Sequence, residues 1–99
     1  MAKYQLTNKA VNDISEIWNF TADNWSEIQA DSYYTLLINT CQDLAAGKIK
    51  GKNYPEIDSA ISGYRASQHI LFYQSLSDKE ILIVRILHVQ MDLKNRITD

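Results

Sequence analysis

The chain has 99 residues, a formal net charge of −2 and a single cysteine. That length sustains one hydrophobic core, so a single domain spanning residues 1–99 is expected. Cys41 has no partner for an internal disulfide, and no apolar run approaches a membrane span. A reducing, cytoplasmic setting is expected.

Charge is unevenly spread. Residues 1–46 sum to −4 and residues 47–99 to +2. A general nucleic-acid binder shows a stronger basic footprint than this, so direct nucleic-acid binding by the chain alone is not expected. The asymmetry suggests one mildly basic face suited to an acidic partner, with a merely solvated face as the equal alternative.

Lys3 to Leu6 alternates and reads as a short strand. Thr7 can cap a helix carrying Ala10, Ile14, Ile17, Trp18 and Thr21 as its apolar stripe, with Asp13 and Glu16 off the stripe and wet. This helix should stop near Asp23-Asn24. Ser26 and Gln29 make a capping box for a second helix, whose stripe is Ala30, Tyr33, Tyr34, Leu37, Cys41, Leu44 and Ala45. Gly47 stands where a left-handed cap is wanted. Residues 48–62 form a loop containing Pro55, anchored by Ile57 and Ile61, with Lys48, Lys50 and Lys52 solvated.

The period then changes to that of strands over Gly63–Ser67, His69–Gln74 and Glu80–His88. Regular alternation in the last strand sets Leu82, Val84, Ile86 and His88 on one face, and Ile81, Ile83, Arg85 and Leu87 on the other. Both faces are apolar, so this strand should be central, with the helical hairpin covering it. The expected fold is an α+β sandwich in the order β-α-α-β-β-β, with the hairpin packed on a small antiparallel sheet.

The end of that strand carries Arg85 and His88, unusual residues for a core element. Arg85 can lay its stem over Ile83 and Leu87, or display a guanidinium to a phosphate or carboxylate. Arg65 on a neighbouring strand could join it on the same face. His88 can cap a buried edge through a backbone hydrogen bond, or act on a ligand. Alternation places it on the face opposite Arg85. His69 is a weaker candidate. No metal-ligand spacing, phosphate loop, nucleophile elbow or paired-cysteine motif is present, and no cofactor is expected.

Three segments, "YQLTNKAVNDISEIWNFTADNW", "YRASQHILFYQ" and "ILIVRILHVQMD", closely resemble the ParE branch of the RelE/ParE toxin superfamily. The match is carried by Leu6, Thr7, Ala10, Asp13, Ile17, Trp18 and Thr21, then Tyr64, Arg65, His69, Phe72 and Tyr73, then Arg85 through Asp92. It runs in order over almost the whole chain. The resemblance implies the toxin half of a type II toxin–antitoxin module, often plasmid-borne and associated with plasmid maintenance. It implies a non-enzymatic protein that binds DNA gyrase, blocks replication, and is neutralised by a cognate ParD-like antitoxin.

The expected contact surface is Arg65, Arg85, His88, Met91 and Asp92, with Arg85 meeting an anionic group. Antitoxin could add a strand to an open sheet edge, or lay a helix on the hairpin where Trp25 and Tyr33 or Tyr34 remain exposed. Two alternatives stand beside this reading. One is a ribosome-dependent messenger endoribonuclease like the sibling RelE branch. It needs a proton carrier near Arg65 and Arg85, and alternation denies one by turning His88 away. The other is a non-toxic member that only binds antitoxin.

Overall fold

In the computed structural model, residues 2–90 are described, so Met91 and Asp92 lie outside the described residues. The elements in chain order are β1 (Lys3–Leu6), α1 (Asn8–Asn24), α2 (Glu27–Ala46), β2 (Lys52–Asn53), β3 (Ser62–Ala66), β4 (His69–Ser77) and β5 (Glu80–His88). They form one sheet in the order β1-β5-β4-β3-β2, with the two helices packed on it. The expected α+β layering is present. The sheet is mixed, not antiparallel: β1 runs parallel to β5, because the chain returns through the helical hairpin before the later strands form. It also gains β2, a two-residue strand inside the expected loop, which pairs with β3 through Lys52↔Gly63 and Asn53↔Ser62.

The caps follow the sequence. The Thr7 hydroxyl accepts the Ala10 N–H at 3.0 Å and donates to the Val84 carbonyl at 2.8 Å, tying the start of α1 to β5. Ser26 Oγ accepts the Gln29 N–H at 3.0 Å. Gly47 sits at φ 76°, and Lys48 and Gly47 donate to the Asp43 and Leu44 carbonyls in the double closure that left-handed caps favour.

One core lies between helices and sheet, built from Ala10, Ile14, Leu37, Cys41, Leu44 and Ala45 against Leu71, Ile81, Ile83 and Ile86. A second cluster, Ile61, Ile70, Phe72 and Leu87, occupies the other sheet face, with Tyr54, Ile57, Val84 and Val89 packed on it. The expected anchors Ile57 and Ile61 therefore seal this far face. Burial pushes the Cys41 thiol up to about 12, leaving it protonated and inert.

The expected strict alternation of β5 fails. Phe72 pairs with Arg85 while Tyr73 pairs with Ile83, so Val84 is an extra residue on the β5 side. Such a bulge shifts the phase of the pleat. Ile81 and Ile83 face the helices before it, and Ile86 faces them after it. Val84 and Leu87 join the far cluster. Sequence alternation had grouped Ile86 with Val84, and Leu87 with Ile83.

Candidate functional site

The bulge decides what the end of β5 presents. Arg85 and His88, assigned opposite faces by alternation, line the same cleft of about 300 Å³ between α1 and the β4–β5 pair. Asp13, Glu16, Phe20 and His69 share its walls. A second cavity of about 250 Å³ adjoins it through Phe20, Thr21, His69 and His88, and extends to Trp25, Gln29, Tyr33 and Gln68.

Arg85 does meet a carboxylate, but one from its own chain. Its Nε lies 2.7 Å from Asp13 Oδ2 and its Nη2 2.9 Å from Asp13 Oδ1, a bidentate pair. Asp13 Oδ2 also accepts the Ile86 N–H at 3.0 Å. With side chains 15% and 8% exposed, the pair is largely out of water. A carboxylate accepting three N–H donors in that setting is a strong, geometrically exact clamp between α1 and β5. The expectation that Asp13 is wet is thus corrected. Its spacing from Ala10, Ile14 and Ile17 is three, one and four residues, which places it on the buried face. Glu16 is exposed, as expected.

The imidazoles are ordered by hydrogen bonds. His88 Nδ1 accepts the Gln90 N–H at 3.1 Å, an exposed local contact two residues on rather than the cap of a buried edge, so its ring proton sits on Nε2 when neutral. Tyr33 Oη accepts the Gln68 N–H at 3.2 Å. It also donates to the Ala66 carbonyl at 3.4 Å and shares a hydrogen bond of 2.7 Å with His69 Nδ1. The two imidazoles meet edge to face at 5.3 Å. Burial, then the neighbouring His88, lowers the His69 pKa from 6.5 to about 4, so His69 is neutral near pH 7. Burial likewise raises the Tyr33 pKa. Sequence reading ranked His69 low and missed Tyr33 because their partnership spans 36 residues and depends on the α2–β4 packing.

Arg65 is not brought to Arg85. It pairs in register with Ile70, whereas Arg85 pairs with Phe72. Its Nε donates to the Ser67 carbonyl at 2.9 Å, and it lines a separate groove with Lys50 and Lys52. Along the hairpin rim, Phe20 and Trp25 are 61% and 64% exposed with rings 6.0 Å apart, and Ile28 and Tyr34 are also exposed. No helix among the described residues is long and apolar enough to cross a membrane.

Comparison with known proteins places this geometry in a family. The model of the ParE toxin of type II toxin–antitoxin system, parDE, matches residues 4–93. Toxin ParE1 of Mycobacterium tuberculosis is 33% identical over 92 residues, covering 93% of this chain and 94% of the relative. Toxin ParE of Escherichia coli is 32% identical over 99 residues, covering 100% and 96%. A solved chain titled "Chromosomal ParDE TA system from P. aeruginosa" superposes with a TM-score of 0.73 at 19% identity, over 91% of this chain and 98% of that one, which supports the same fold. The chain belongs to the ParE toxin family of type II toxin–antitoxin systems.

Proposed function

We propose that the protein acts by docking rather than by bond scission: it binds DNA gyrase, blocks replication, and is held inert by a ParD-like antitoxin. Gyrase and antitoxin are expectations carried by family membership. The observation favouring docking is the Asp13–Arg85 clamp. Phosphodiester cleavage needs cations for the charge that builds on phosphorus, and the cation in this cleft is already neutralised by a buried carboxylate. Glu16 adds further negative charge to the same walls.

Arg85 then works from behind, fixing the end of β5. His88 stands at the cleft rim, and Met91 and Asp92 follow it in sequence as proposed contacts. Arg65 would meet a partner from the other face. Incubated with gyrase, the purified chain should inhibit supercoiling while leaving ribosome-bound message intact. No inhibition at large molar excess would reject the proposal.

The ribonuclease reading keeps one specific support. The Tyr33–His69–His88 cluster supplies the proton carriers that alternation had denied. Cleavage of translated message, abolished by His88→Ala, would favour it.

A further inference from the structure

On the sheet face away from the helices, Lys50, Lys52 and Arg65 line an open groove of about 550 Å³ together with Tyr54, Tyr64 and Val89. No carboxylate lines this groove among the described residues, although the chain as a whole is acidic. All three cations are exposed, and none pairs with a carboxylate among those residues. The Arg65 guanidinium is steadied through its Nε by the Ser67 carbonyl, which leaves its two terminal nitrogens for a ligand. Lys52 Nζ is held 5.3 Å over the Tyr54 ring. Gly63 lets the wall of the groove close up: a Cβ there would come within 2.7 Å of the Tyr54 ring, so the glycine allows that ring to lie directly on the β3 backbone. These are partly oriented cations around a concave surface, the local chemistry that recognises a polyanion.

We propose that this groove binds the sugar–phosphate backbone of duplex DNA, with Lys50, Lys52 and Arg65 each neutralising one phosphate. Two observations select this occupant. Adjacent β2 holds only two residues and is followed within two positions by Pro55, so an acidic peptide adding as a strand finds almost no ladder. The tyrosine rings are also committed: Tyr54 packs edge-on against Phe72 at 5.1 Å, and Tyr64 packs against the helix-side core. Unpaired bases of a single strand therefore have no free platform to stack on.

Anisotropy of a short labelled duplex titrated with the full chain tests this. It needs no gyrase, so it and the gyrase reading can fail separately. Three phosphate contacts give a log–log salt slope of about −2.7, a loss of about 40-fold in affinity between about 50 and 200 mM salt. Arg65→Gln should bring the slope to about −1.8. Lys50→Gln, Lys52→Gln and Arg65→Gln combined should abolish binding, while Lys79→Gln at the β4–β5 turn should leave the slope unchanged. The proposal is overturned if the duplex does not bind at low salt, or if the triple variant keeps the slope. Tighter binding of single-stranded RNA or of polyglutamate than of duplex would overturn it equally.

Discussion

The two faces of the sheet treat the same residue type in opposite ways. On the helix side Arg85 is clamped by Asp13 in a cleft whose imidazoles and tyrosine bond mainly to one another or to backbone. On the far side Arg65 is held only at its Nε, beside lysines that no carboxylate pairs among the described residues. An arginine in a strand is thus no functional signal by itself. What distinguishes the two is whether the packed element above supplies a carboxylate. Helix α1 covers one face and does so; the loop over the other face carries Glu56 and Asp58, but neither pairs with Arg65.

Removing the clamp should have the largest effect. Asp13→Ala leaves a largely buried guanidinium and the Ile86 N–H without their acceptor, which should cost about 3–5 kcal/mol, read as a shift in denaturant midpoint at unchanged slope. A loss under about 1 kcal/mol would mean that the pair is solvated like a surface one. Tyr33→Phe should cost less, about 1–3 kcal/mol, through the lost hydroxyl partner of the Gln68 N–H and His69.

The histidine cluster also predicts a pH window. His69 has a folded pKa of about 4 against 6.5 unfolded, so the unfolded chain binds the extra proton first as pH falls. Stability from this group is complete above about pH 7 and is lost between about 6.5 and 4, a slope that His69→Gln should flatten. The smallest effect is on the far face. Arg65→Gln should change stability by no more than about 0.5 kcal/mol, because the side chain is exposed.

The layering was legible from periodicity, since hairpin and strands each carry their apolar residues at the spacing their geometry demands. The caps at Thr7, Ser26 and Gly47 were legible because one or two residues decide each. The phase of β5 was not. A bulge at Val84 is set by pairing with β4, and an unbroken apolar run from Ile81 to Val84 hides it. That single residue moved His88 to the side of Arg85, and with it the main argument against a proton carrier. Asp13 could have been placed correctly, because its spacing from Ala10 and Ile17 is helical and only its charge argued for solvent. The Tyr33–His69 bond had no local signal. The parallel pairing of β1 was hidden too, because a four-residue strand does not declare its partner.

The most direct measurement is gyrase inhibition by a chain carrying Asp13→Asn and Arg85→Met together. The asparagine keeps an acceptor for the Ile86 N–H, and the pair of charges is removed as a unit, which buried ion pairs commonly tolerate. A folded double variant that inhibits gyrase like the unsubstituted chain is expected if Arg85 serves the fold. A folded variant that has lost inhibition would show that the Arg85 guanidinium itself touches the target.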